Sequence, residues 1–225
     1  MTNVNSKCSV AGSFNSRKIL FYSFDFCCGE KTEAVRLKLA LIGDYNLENS
    51  LAAVTVCQKI GLSLDQISKG LKTFPGVKRR CKVNFSSENL VYVDDYAHHP
   101  GEISAVLMSL KNLYNGYKIL AIFEPHLFSR TMELKHDFAE SLSHSDEVWL
   151  LPIFPAREEP VEGVTSDIIL RHLSVPAKSL ATDELIGTIS KYLKGSEVKH
   201  LLITMGAGSI GKLGTEITKL LETLN

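Results

Sequence analysis

From Asn89 onward, short β-branched apolar runs alternate with longer stretches of helical periodicity, and that alternation leaves few folds open. Strands fit residues 90–93, 118–123, 147–151, 177–180 and 199–204, and helices fit 101–114, 131–143, 166–173, 183–193 and 210–223. Repeated strand–helix–strand units demand a mainly parallel sheet with right-handed crossovers and helices on both faces. The predicted fold class is therefore α/β, doubly wound. Before it, extended runs at 19–28 and 33–42 flank Gly29-Glu30-Lys31, with alternating Val35, Leu37, Leu39 and Leu41, and predict a β-hairpin. Residues 47–61 and 63–72 read as two short helices ending near Phe74-Pro75-Gly76. Residues 1–15 are rich in Ser and Asn, lack periodicity and are expected to be disordered.

In such a sheet ligands bind outside the carboxyl ends of the strands, where free N–H groups and helix dipoles attract anions. Three strand ends carry polar clusters. Val91-Tyr92-Val93 stops at Asp94-Asp95-Tyr96-Ala97-His98-His99-Pro100, the second strand runs into Glu124-Pro125-His126-Leu127-Phe128-Ser129-Arg130, and the third into Pro155-Ala156-Arg157-Glu158. Because sequential strands are usually neighbours, these tips are predicted to converge on one crevice. Lys plus Arg equal Asp plus Glu at 25 each, so no net field draws the chain to nucleic acid or an anionic membrane, and an anionic ligand must be held locally. His98, His99, His126, Arg130 and Arg157 suit that task, arginine through two parallel hydrogen bonds. Structural readings compete: Asp94 or Asp95 capping a helix, Arg157 pairing with Glu158 or Glu159, and Arg130 pairing with Asp94, Asp95 or Glu124.

Five cysteines without a CxxC pair argue against a disulfide framework and a zinc site, and for a reducing cytoplasm. No apolar run approaches the ~20 residues of a membrane span, and residues 1–10 are too polar for a signal peptide. Gly206-Ala207-Gly208-Ser209-Ile210-Gly211 spells GxGxxG after a strand, but the dinucleotide fingerprint needs a complete βαβ unit and an acidic residue ~20 positions on, and the sequence ends at Asn225. A turn whose glycines allow positive φ is the better reading. Gly211-Lys212 is no P-loop, since Ala207 and Leu213 stand where Gly and Ser or Thr are required.

The ordered blocks Gly43-Asp44-Tyr45-Asn46-Leu47-Glu48-Asn49, Phe74-Pro75-Gly76-Val77-Lys78-Arg79-Arg80, Asp94 to Pro100, Pro125-His126-Leu127-Phe128-Ser129-Arg130-Thr131 and Pro155-Ala156-Arg157-Glu158 resemble the Mur ligase family, and within it the UDP-N-acetylmuramate:L-alanine ligases of peptidoglycan synthesis. The murein tripeptide ligases, which share Asp-Asp and His-His-Pro, are the nearest rival. The resemblance implies an ATP-dependent ligase that joins L-alanine to UDP-N-acetylmuramate through an acyl phosphate, with Mg2+, in the cytoplasm. It implies three domains, of which 43–225 resembles the C-terminal, Rossmann-like one, and 1–42 a disordered start plus a hairpin from the end of the central one. The UDP-binding domain, the P-loop lysine and the Mg2+ ligands have no counterpart in this sequence. The fragment alone is thus expected to be inactive, with a separate N-terminal ligase portion as a partner; a noncatalytic nucleotide- or partner-binding remnant is the other class of function. The same resemblance puts Asn46 and Asn49 on the adenine side of ATP, Arg80 on its phosphates, and Asp95 near the ribose and that arginine. Tyr96, His98 and Arg130 match positions holding the incoming amino acid and the reacting acyl phosphate, so the catalytic set it implies is Arg80, His98 and Arg130. Tyr45 departs from the family's usual histidine and Leu127 from an arginine found in some members. Helix capping competes for Asn46 and Asn49.

Overall fold

A computed structural model describes residues 22–26, 35–39 and 41–224. They fall into two compact units, Met1–Gly76 and Val77–Asn225. In the first, β1 (Tyr22–Phe26) and β2 (Val35–Leu39) pair antiparallel, Tyr22 opposite Leu39 and Phe26 opposite Val35, as a hairpin should. The Gly29-Glu30-Lys31 turn and the expected disorder of residues 1–15 lie outside the described residues. Helix α1 (Asp44–Lys59) is followed by α2 (Leu64–Thr73), which Ser63 starts through a capping box with Gln66. Val54 and Ile67 are buried between them, with Leu41, Leu47, Leu51, Leu64 and Leu71 packed around. This division groups both helices with the hairpin, whereas the resemblance starts the C-terminal domain at Gly43.

The second unit holds a six-stranded sheet, ordered β3 (Lys82–Ser86), β4 (Leu90–Asp95), β8 (His200–Met205), β5 (Lys118–Phe123), β6 (Glu147–Leu150), β7 (Ala177–Ser179), parallel except for β3. The intervening helices are α3 (Pro100–Leu113), α4 (Phe128–Glu133), α5 (Lys135–Leu142), α6 (Asp167–Leu170), α7 (Leu185–Leu193) and α8 (Gly214–Leu224). One face of the sheet, with Tyr92, Leu120, Ile122, Trp149 and Leu202, packs on Leu185 and Ile189 of α7 and on Ile217 and Leu221 of α8. Alternate residues point the other way, and there Phe123 meets Phe138 of α5 with ring centres 5.3 Å apart. Every residue of β4 and β8 is buried, as expected of strands covered on both faces.

Three expectations are corrected. The antiparallel edge strand β3 was not foreseen, because it alternates exposed Lys82, Asn84 and Ser86 with only two half-buried apolar residues and bulges between Val83 and Phe85. The helix expected at 131–143 breaks at Leu134, and its first part begins three residues early, at Phe128. Most consequentially, β4 and β5 are not neighbours: the last strand, β8, pairs with both, Val93 and Ala121 flanking Ile203.

At the opposite end of the sheet, His200 is 5% exposed; its Nε2 lies 2.7 Å from the Ser196 hydroxyl while its Nδ1 is buried without a hydrogen-bond partner. Burial, and then the Lys118 ammonium, hold the imidazole below its usual range. The unfolded chain therefore takes up this proton at higher pH than the fold does. The stability tied to His200 is complete above the ordinary imidazole range and is lost as pH falls through it. Melting temperature should drop on acidification from about pH 7 to 5, and His200→Gln should flatten that drop; an unchanged slope would show that other groups set it.

Candidate active site

The central place of β8 puts its Gly206-Ala207-Gly208 turn between the polar tips of β4 and β5, so the crevice is built from three strand ends and a turn. Asp94 and Asp95 end β4, both buried. Asp94 accepts the Thr204 hydroxyl of β8 at 3.0 Å and Arg79 Nε at 3.1 Å. Asp95 accepts the Cys81 N–H at 2.5 Å and the Ala97 N–H at 2.6 Å, and so shapes the chain on both sides of itself. Burial outweighs these partners and holds both carboxyls above their usual range. Neither caps α3, whose N-cap is His99 and whose first residue is Pro100.

The guanidinium of Arg79 also donates to the Gly206 carbonyl at 2.6 Å and the Asp95 carbonyl at 3.4 Å, and lies 5.2 Å from the centre of the Tyr96 ring. Arg79 and Cys81 both have left-handed backbone, with φ of 57° and 46°. That conformation costs a non-glycine residue about 1–2 kcal/mol. Between them stands Arg80, exposed.

After Tyr96 the His98 Nδ1 sits 3.0 Å from the Tyr96 carbonyl oxygen and 3.3 Å from the Glu102 carboxylate. Both neighbours are acceptors, so Nδ1 carries the proton and Nε2 of a neutral His98 is left with its lone pair. The rings of Tyr96, His98 and His126 meet edge-on, centres 5.2 Å and 6.0 Å apart, and His126 stacks on Phe154 at 5.7 Å. Leu127, at φ 72°, donates its N–H to the Phe154 carbonyl at 2.9 Å and turns the chain into α4, which carries Arg130. Burial, then the Arg130 guanidinium, hold His126 below the usual imidazole range. His126 Nδ1 and Arg130 Nη1 are both buried with no hydrogen-bond partner. Such atoms are rare in folded proteins and mark places where a missing partner belongs.

Arg130 is not holding the sheet edge. Its three proposed acidic partners are committed elsewhere: Asp94 and Asp95 as above, and Glu124, 2% exposed, to the Ile210 N–H at 3.0 Å and the Ser209 hydroxyl. Glu158 likewise accepts the Ser129 N–H at 3.0 Å and its hydroxyl, leaving Arg157 exposed rather than paired with it. In the first unit Asn46, 7% exposed, donates its amide to the Ile42 carbonyl at 2.6 Å, whereas Asn49 is exposed.

The second unit thus brings Asp95, Tyr96, His98 and Arg130 of the expected set to its strand tips, with Arg80 on the turn before β3. Sequence reasoning gave Arg79 and Phe154 no role and cast Glu124 only as a partner for Arg130. Its one available signal for Arg79 was the Lys78-Arg79-Arg80 run, which cannot say which guanidinium turns inward. Among the described residues no three His, Cys, Asp or Glu side chains gather as metal ligands. No described helix is long and apolar enough to cross a membrane.

Residues 79–208 match the family description "Mur ligase, glutamate ligase domain". The UDP-N-acetylmuramate–L-alanine ligase of Flavobacterium johnsoniae is 44% identical over 187 residues, 83% of this chain and 40% of that protein. That of Porphyromonas gingivalis W83 is 38% identical over 205 residues, 91% of this chain and 44% of that protein. The chain therefore spans about two fifths of the length of the curated relatives it matches. In fold it is similar to the UDP-N-acetylmuramate-alanine ligase of Thermotoga maritima, with TM-score 0.73 at 22% identity over 100% of this chain and 46% of that one. It is also similar to the Thermotoga maritima MurF ligase solved in complex with ADP, with TM-score 0.67 at 17% identity over 97% of this chain and 47% of that one.

Proposed function

Because the chain belongs to the Mur ligase family, we propose that it is the C-terminal portion of a cytoplasmic ligase that adds L-alanine to UDP-N-acetylmuramate at the expense of ATP, in peptidoglycan synthesis. In this reading residues 43–225 form the family's C-terminal domain, and 1–42 contain the end of its central domain. The observation that carries the site is the pair of buried, unpartnered atoms, Arg130 Nη1 and His126 Nδ1, beside His98 at the strand tips.

ATP supplies the phosphoryl group that activates the lactyl carboxylate. What this chain contributes is placement of the amine and neutralisation of charge. Arg130, already stripped of water on one arm, faces the amino acid carboxylate and the charge that grows on the acyl phosphate as the amine attacks. His98 Nε2, an acceptor, is suited to the ammonium or to the amine it becomes. Arg80, exposed at its turn, is open to the nucleotide phosphates. In the first unit Asn49 is exposed, and Asn46, though one amide N–H is held by the Ile42 carbonyl, keeps its Oδ1 as an acceptor for the adenine amine. Tyr96 forms the wall against which the amino acid sits.

The test is reconstitution. The 225-residue chain alone should show no L-alanine-dependent phosphate release, because the P-loop and metal that stabilise the transferred phosphoryl group are expected on other residues. Adding the N-terminal portion of a related ligase should restore it. Turnover by the chain alone, or none when the two portions form a complex, would contradict the proposal.

A further inference from the structure

At each of the three glycines of the GxGxxG stretch an added side chain would run into a neighbour. A Cβ on Gly206, at φ 145°, would come 2.7 Å from the Glu124 carbonyl, one on Gly208 would enter the Phe154 ring, and one on Gly211 would lie 2.5 Å from the guanidinium carbon of Arg79. The third glycine thus leaves room for one side chain. The seated guanidinium ties together Asp94 at the end of β4, Gly206 at the end of β8 and the face of Tyr96. Its own backbone closes the same loop, since the Tyr96 N–H donates to the Arg79 carbonyl at 2.7 Å.

We propose that Arg79 is a positioning residue: seated against Gly211, it fixes both Arg80 and Tyr96 for the ligase reaction without touching the reactants. This rests on the function proposed above. The turn runs through two left-handed residues, Arg79 and Cys81, each opposed by its own preference. The bonds that hold it are those of Arg79 to Asp94 and Gly206 on one side and of Cys81 N–H to Asp95 on the other. Arg80 is carried between these two anchors, so its direction depends on them. Lysine at position 79 would keep the charge, but its single ammonium cannot reproduce the planar fork that reaches Asp94 and Gly206 at once.

Two variants approach the clasp from opposite sides. Arg79→Lys changes the clasp itself; Gly211→Ala leaves Arg79 intact and pushes its guanidinium off its seat. In the reconstituted ligase each should lower kcat/KM for ATP ~10- to 100-fold, the size of effect that a displacement of about 1 Å produces, through a raised KM more than a lowered kcat, with KM for L-alanine raised too. In the 225-residue chain, the Arg79 Nε–H resonance should be protected from solvent exchange, and Gly211→Ala should remove that protection. Unchanged KM values for both substrates, with only the melting temperature lowered, would make Arg79 merely structural. An undisturbed Arg79 resonance in Gly211→Ala would overturn the seat. Should Gly211→Ala not fold, the KM values of Arg79→Lys decide. The unmutated reconstituted ligase tests the function separately: if it releases no phosphate the functional reading fails, whereas normal variants beside an active parent end only the Arg79 inference.

Discussion

In the complete ligase, Arg130→Lys is expected to lower kcat and kcat/KM by similar factors, on the order of 10²–10³-fold, the cost of removing one preorganised donor from a developing negative charge. Melting temperature should change by no more than about 1 kcal/mol of stability accounts for, because no carboxylate loses a partner. The physical ground is that Nη1 is buried and unbonded while Asp94, Asp95 and Glu124 have other partners. An Nη1 in that state adds no hydrogen bond to the fold and is already desolvated for a ligand. Stopped-flow or steady-state rates set beside thermal melts decide the matter: a large fall in melting temperature with kcat intact would remove Arg130 from the site.

Glu124→Ala should do the reverse, costing about 2–4 kcal/mol of stability. It takes a buried charged acceptor from the Ile210 N–H and the Ser209 hydroxyl, and leaves both donors facing a cavity. Glu124→Gln, which keeps the shape and one acceptor oxygen, should recover at least half of that. Denaturant midpoints measured at constant m-value give the comparison. Equal losses in the two variants would mean that charge alone, and not cavity and orphaned donors, determines the cost.

The sheet was legible because its strands are covered on both faces and so read as unbroken apolar runs, 118–123 and 199–204 being recovered within a residue. The order of those strands was not legible. Nothing local in His200–Met205 says that it inserts between β4 and β5; that follows from how the crossovers pack, and it moved the glycine turn from the margin of the argument to the centre of the crevice. β3 escaped because an exposed edge strand needs little apolar surface. In the site, chemical type and loop position pointed to His98, His99, His126, Arg130 and Arg157 alike, and only the resemblance to the Mur ligases singled out His98, Arg130 and Asp95. Which of two adjacent arginines turns inward depends on the left-handed backbone at Arg79, where no glycine advertises it. The same holds for Leu127, whose positive φ aims α4 and is invisible in a leucine.

The central position of β8 also bears on how the chain acquires its structure. Until His200–Met205 is made, β3-β4 and β5-β6-β7 are two separate pieces of sheet, each with a bare inner edge offering unpaired N–H and C=O groups. Pairings between residues as far apart as Tyr92 and Leu202 must then close late, the arrangement that slows folding. A chain halted before His200 offers both inner edges to strands of other chains, so the segment that carries β8 guards this protein against aggregation.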